Sequence, residues 1–150
     1  MTHDELNQLT KDIIAKNIYL TLSTTDGDLP WSAPLFYCTD NDYNFYYISQ
    51  MDSLHTLHIL KNPNVAFAIF DSHAKEGQGN GVQASGKTRL LESDDEIREA
   101  LNYYHSTFIE CKPGDFTGGK PYRIFKISPD KFYVLDPDAD VDKRVEVNLK

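Results

Sequence analysis

Ser53 stands where a helix would begin, with Asp52 before it and Leu57 and Leu60 setting a helical period that Asn62-Pro63 ends. A helix entered from a strand through a polar turn offers unpaired backbone N–H groups and the positive end of its dipole, which suits a phosphate-sized anion. Ser53 and His55 are the side chains placed to join such a site, both expected at an exposed helix start. His55 and His58 lie three apart and can share one helix face. No carboxylate or cysteine stands at a fixed distance to complete a ligand set, so no metal site is expected.

The aromatic residues Trp31, Phe36, Tyr37, Tyr43, Phe45, Tyr46 and Tyr47 crowd the preceding stretch. Strands collect aromatics for packing, so most belong to a core; Trp31 and Tyr47 are the two expected to offer a face to a planar ligand. Gly77-Gln78-Gly79-Asn80-Gly81 precedes a strand rather than joining a strand to a helix, and is not a dinucleotide-binding loop. No nucleophile is flanked by a base and an orienting acid, and no carboxylates pair. No catalytic residue is assigned, and any catalysis would rest on a cofactor.

The elements that must position these residues follow from pattern. Thr2-His3-Asp4-Glu5 has the form of a capping box, and Leu6, Leu9, Ile13 and Ile14 continue a helix to about Asn17. Alternation from Ile18 to Thr25, the turn Asp26-Gly27-Asp28, a strand from Trp31 to Cys38, the turn Asp40-Asn41-Asp42 and a strand from Tyr43 to Ser49 predict a three-stranded meander. Proline cannot donate to a ladder, so Pro34 marks a place where the sheet opens. The nearly continuous apolar run Val65 to Phe70 predicts a strand covered on both faces. A loop over 72–80 and a strand from Gly81 to Glu92 follow. Ser93 caps a helix to about Tyr104, a loop covers 106–120, and a hairpin with the turn Ser128-Pro129-Asp130 joins Tyr122–Ile127 to Phe132–Leu135. The tail 137–150 has no core pattern and is expected to be exposed or to contact a partner.

The whole is a single domain over residues 1–150, mainly β (α+β). It is an antiparallel barrel with an N-terminal helix, a short helix in the barrel and a late helix. That length buries a core without staples. Against 15 basic residues stand 23 acidic ones, a formal charge of −8, which disfavours nucleic acid and anionic membrane as partners. No apolar run approaches the roughly 20 residues of a membrane span, and the polar start Thr2 to Glu5 is no signal peptide, so a cytoplasmic location is expected. Cys38 and Cys111 are too few for a disulfide scaffold.

The order Tyr46-Tyr47-Ile48-Ser49, a polar turn, Ser53-Leu54-His55 and Asn62-Pro63-Asn64-Val65-Ala66 resembles the FMN-binding split barrel of the pyridoxamine 5'-phosphate oxidase-like superfamily. There the matching segment runs aromatic-Tyr-Thr/Ser, Ser-Arg-Lys, Asn-Pro-x-Val-Ala, with the same ten-residue step from serine to proline. The likeness extends to Pro30–Tyr37, Gly81–Lys87 and Tyr122–Phe125. Leu54 and His55 replace the Arg-Lys pair that grips the flavin phosphate, and no Lys or Arg lies between Lys16 and Lys61.

The resemblance implies an antiparallel split β-barrel and a homodimer with two FMN sites at its interface. The ring would lie along Ala33, Pro34, Leu35 and Phe36 and along Tyr47, Ile48 and Ser49, with the phosphate at Ser53 and His55. Lys87, Arg89 or Arg123 would supply the missing charge. The activity implied is that of a flavin-dependent oxidoreductase acting on a small molecule. The alternative is a non-catalytic flavin- or haem-binding stress or interaction protein on the same fold.

Overall fold

The computed structural model describes residues 1–105 and 110–150. Helix α1 (His3–Lys16) starts at the capping box: the Thr2 hydroxyl accepts from the Glu5 amide at 3.2 Å, and the Glu5 carboxylate accepts from the Thr2 amide at 2.7 Å. Its core face carries Leu6, Thr10 and Ile14, the Thr10 hydroxyl being satisfied by the Leu6 carbonyl at 2.8 Å. The chain then makes β1 (Tyr19–Thr25), β2 (Pro30–Phe36), the two-residue β3 (Cys38–Thr39), β4 (Phe45–Gln50), α2 (Leu54–Lys61), β5 (Asn64–Phe70) and β6 (Gly81–Leu90). Helix α3 (Asp94–Tyr103), a short 3-10 helix (Pro113–Phe116), β7 (Tyr122–Leu135) and β8 (Arg144–Val147) complete it. Residues 106–109 of the expected 106–120 loop lie outside the described residues.

The strands form one antiparallel sheet in the order β2-β1-β5-β6-β7-β4-β3, with β8 beside β7. The sheet curls around Leu20, Leu22, Phe45, Phe67, Phe125 and Ile127. On the outside of β4 and β7 a second cluster, with Tyr46 and Ile124, is covered by Ile97 and Ala100 of α3 and by Phe116. This is an α+β split barrel, as expected.

Four expectations are corrected. The meander breaks within its second strand: among the described residues β2, ending at Phe36, pairs with β1, while the two-residue β3 that follows turns through Asp40-Asn41-Asp42 onto β4 at Phe45 and Tyr46, and β4 pairs on its other side with β7 along Phe45–Gln50. Strands β2 and β4 touch without a ladder, so the barrel is split between them, and Pro34 sits on the resulting free edge. The hairpin around Ser128-Pro129-Asp130 does not exist either. Both halves pair with β6, and the proline is absorbed in one continuous strand by a bulge between Ser85 and Gly86.

Strand β5 is covered on one face only, through Val65, Phe67 and Ile69, while Phe70 is exposed. The tail folds back: β8 pairs with β7, Val147 and Leu149 enter the core, and the Asn148 amide donates to Asn7 on α1 at 3.2 Å. Its alternating charges conceal two apolar positions that fill the gap beside α1.

Candidate functional site at the start of α2

The turn from β4 into α2 brings four polar side chains together. Ser49, at the end of β4, lies 2.6 Å by its Oγ from Nε2 of His55 and 3.3 Å from the Ser53 Oγ. Ser53 Oγ lies 3.2 Å from the same imidazole nitrogen and donates toward the Gln50 carbonyl at 2.9 Å and Thr56 Oγ1 at 2.8 Å. Ser53 therefore occupies the cap position with extended backbone, yet its hydroxyl makes no cap bond. Helices α1 and α3 are both capped by side chains, from Thr2 and Ser93. The first-turn N–H groups of α2 are left without that partner, which is the state an anion site requires.

His55 is not at an exposed helix start. It is only 8% exposed, packed near the Tyr47 ring, and α2 buries His55, Thr56, His58 and Ile59. Leu54, Leu57 and Leu60 point outward and are 44–57% exposed, so the apolar period is present but faces away from the barrel. The buried face is polar because it closes a barrel end where side chains need partners: His58 Nδ1 lies 3.1 Å from the Thr24 hydroxyl of β1. Among the described residues no group of His, Cys, Asp or Glu is arranged to hold a metal.

Burial, and secondarily the neighbouring His58, hold the His55 imidazole below its ordinary pKa of about 6.5. The neutral form is thus favoured in the folded chain. The stability this group contributes is complete above the unfolded pKa and is lost as pH falls through the folded one. Urea midpoints of the native chain should therefore drop between about pH 7.5 and 5.5 more steeply than those of His55→Gln. Equal slopes would refute the assignment.

The residues assigned to a flavin ring flank the split. Ala33 is buried, Pro34 exposed, and Leu35 and Phe36 half-buried on the free edge of β2; Ile48 is half-buried and Ser49 buried on β4. Tyr47 is fully buried and stacked on Phe125, with centroids 5.2 Å apart and planes at 8°, so it cannot present a face to a ligand. The Tyr47 and Thr88 hydroxyls are neighbours inside the barrel, yet neither has a partner with hydrogen-bond geometry among the described residues. Burial pushes the Tyr47 phenol far above its usual range. Trp31 is 47% exposed at the other end of β2.

The three cations do not reach the site. Lys87 is exposed and sits opposite Asn64, just past the C-terminal end of α2, about 12 Å along the helix from its start. Arg89 pairs with Glu96. Arg123 lies across the ladder from Ser49 but is buried, and its guanidinium donates to the carbonyls of Gly118 at 3.1 Å and Leu91 at 3.4 Å, with no partner for Nε among the described residues. The residues present fit FMN in part: the free edge of β2 and the Tyr47–Gln50 part of β4 for the ring, and two hydroxyls, an imidazole and uncapped amides for the phosphate, none of them a fixed cation.

Sequence reasoning missed Thr56, whose spacing from Ser53 was the available signal, and the side chains beside Ile48. Tyr104, Phe116 and Tyr122, with Glu110 and Asp115, line a depression of about 470 Å³ there. Tyr104 also meets the Phe36 ring edge-on at 5.7 Å, which puts the depression at the split between β2 and β4.

The family model described as Pyridoxamine 5'-phosphate oxidase matches residues 6–136. No curated protein matches the sequence significantly. Among solved structures, General Stress Protein 26 from Bacillus anthracis is 20% identical with a TM-score of 0.68, covering 95% of this chain and 99% of that one. The haem-binding protein from Mycobacterium smegmatis is 14% identical with a TM-score of 0.72, covering 99% and 58%. The haem storage protein HutZ from Vibrio cholerae is 14% identical with a TM-score of 0.65, covering 86% and 94%. At these identities the likeness is one of fold.

Proposed function

Since the chain belongs to the pyridoxamine 5'-phosphate oxidase family, we propose that it is an FMN-binding protein, acting as a flavin-dependent oxidoreductase on a small molecule. The observation that carries this reading is the uncapped start of α2, with Ser49, Ser53 and His55 gathered beside the free edge of β2 and the part of β4 beyond its β3 pairing. In it, the ring lies along Ala33–Phe36 and Ile48-Ser49, and the first-turn amides with the two hydroxyls and His55 take the phosphate. Tyr47 supports the site from inside by packing, and Lys87 and Arg123 are not its ligands. The flavin supplies hydride or electron transfer; the chain's own residues bind and orient it and keep water from one face.

A second reading, a haem- or flavin-holding protein without catalysis, draws on the fold shared with the two haem proteins and on the lack of a cation at the phosphate position. The visible spectrum of the purified protein separates the two. Bands near about 370 and 450 nm, or their appearance on adding FMN, support the flavin; a Soret band supports haem. A colourless protein that takes up no added FMN ends the first reading.

We propose further that two copies associate. The outer face of β2, β1 and β5 carries Ser32, Pro34, Thr21, Ser23, Ala66 and Ala68 in register, with Tyr19 and Phe70 exposed at 56% and 53%, and no charged side chain among them. A free edge strand beside such a face invites closure by a symmetric partner. Light scattering at micromolar concentration should give twice the chain mass of 17.1 kDa. Ala68→Arg, which sets an unpaired charge in that face, should return the single-chain mass. A native protein that is already a monomer excludes the two-copy site.

A further inference from the structure

The depression beside Ile48 has a chemistry that the flavin reading leaves unused. It is lined by the aromatic residues Tyr104, Phe116 and Tyr122, by Ile48, and by two acidic residues, Glu110 and Asp115. No lysine or arginine is among the described residues that line it. Phe116 is buried and anchors the 3-10 helix to the outer core, so this wall is fixed. Tyr122 is held at the start of β7 by the Gln50 side-chain amide, which donates to its hydroxyl at 3.1 Å. The Asp115 carboxylate is oriented by the Lys112 backbone amide at 3.1 Å. Burial pushes the Tyr104 phenol up to about 12, so it stays an uncharged wall at neutral pH.

We propose that this depression binds a flat organic cation, such as a protonated aryl amine or a quaternised nitrogen heterocycle. Aromatic faces attract a cation through their quadrupole, and the two exposed acidic residues in its lining favour positive charge over negative in a chain of formal charge −8. The volume of about 470 Å³ lies within the range of small-molecule sites and admits a tricyclic ring. Because Phe36 and Ile48 flank it, the cation would lie against the strand edges assigned to the flavin and serve as the second reactant. That role rests on the flavin reading; the binding does not.

N-methylacridinium, flat, fluorescent and permanently cationic, is the probe, and 9-anthracenecarboxylate its anionic counterpart of similar shape. Fluorescence polarisation should show the cation binding and the anion not. Glu110→Gln with Asp115→Asn should weaken the cation about tenfold, as expected for two charge contacts at a partly screened site. Asp94→Asn with Asp95→Asn removes the same charge from the start of α3 and should leave affinity within about twofold, since long-range attraction is screened. Equal binding of the anion overturns the proposal by showing stacking without selection of charge, and equal loss in the α3 control overturns it by making the attraction that of the whole surface. FMN titration of the same variants should be unchanged. A chain that takes up no FMN yet binds the cation through Glu110 and Asp115 supports the site while ending its role as a second-reactant pocket.

Discussion

Gly86→Ala should cost about 1–3 kcal/mol of folding stability, the usual price of forcing an extra carbon into a packed site, and Gly86→Val should leave little folded protein. A Cβ built on Gly86 would overlap the Ser128 carbonyl oxygen and stand 2.7 Å from Pro129 Cα. Those are backbone atoms of the long strand β7 at its bulge, and β7 is pinned on both sides, by β6 and β4 over much of its length and by β8 near its end. No side chain can swing away to relieve the overlap. Gly114→Ala is the control, since no described residue lies within 4 Å of its added carbon. The urea midpoint should fall for Gly86→Ala with an unchanged denaturant slope. A midpoint within experimental error of the native one would mean that the bulge can move, and that the close approach of the two strands is not what fixes the register.

That bulge also marks the limit of what the sequence says about the fold. Ser128-Pro129-Asp130 has turn chemistry, and local chemistry alone predicts a hairpin there. Only the tertiary pairing of both flanks with β6 decides for a bulge, and Gly86, on another strand, is what makes room. Local signals were sufficient where the structure they specify is local: the Thr2–Glu5 capping box, the Ser93 cap and the Asp26-Gly27-Asp28 turn all form, with Gly27 at φ 111°. They were insufficient for β4, whose partner β7 lies more than 70 residues away, and for the tail, where two apolar residues among charges enter the core only because α1 and β7 leave a gap.

The site divides in the same way. Ser53 and His55 could be picked as candidates because a serine at a helix start after a strand has a mechanism at that position. What the pattern could not say is which way α2 is rolled. Leu57 and Leu60 define the apolar period, but the barrel end offers Thr24 and Ser49, whose hydroxyls need partners more than leucines need cover within the chain. The outward leucines are cheap only if another surface meets them. The same roll brings Ser49 into hydrogen-bond contact with His55, which no spacing rule in sequence predicts across two elements. Arg123 is the converse case: the register places it opposite Ser49, but two carbonyls in a tight end of the barrel claim its guanidinium.

Ser53→Ala combined with His55→Ala should weaken FMN binding at least tenfold. Loss of one hydrogen bond to a charged group is worth about 1.5–3 kcal/mol, and tenfold needs about 1.4. Because His55 is buried against Ser49, this variant also loses stability, so affinity must be read at a urea-free temperature where circular dichroism shows it folded. Riboflavin, which lacks the phosphate, separates the two effects: its affinity should be the same for the native and double-variant proteins. The proton adds a second signature. His55 is held neutral in the free chain by burial, and a dianion at the helix start would favour its charged form. FMN binding should therefore take up a proton and weaken as pH rises from about 6.5 to 8.5, a window above the second phosphate pKa of about 6. In His55→Gln, which keeps a donor but cannot titrate, that dependence should vanish. An FMN affinity that is flat with pH in the native protein would mean that His55 meets the phosphate uncharged or not at all, and one unchanged in the double variant would place the phosphate away from α2 and leave the Ser49–His55–Ser53 cluster a purely structural closure of the barrel end.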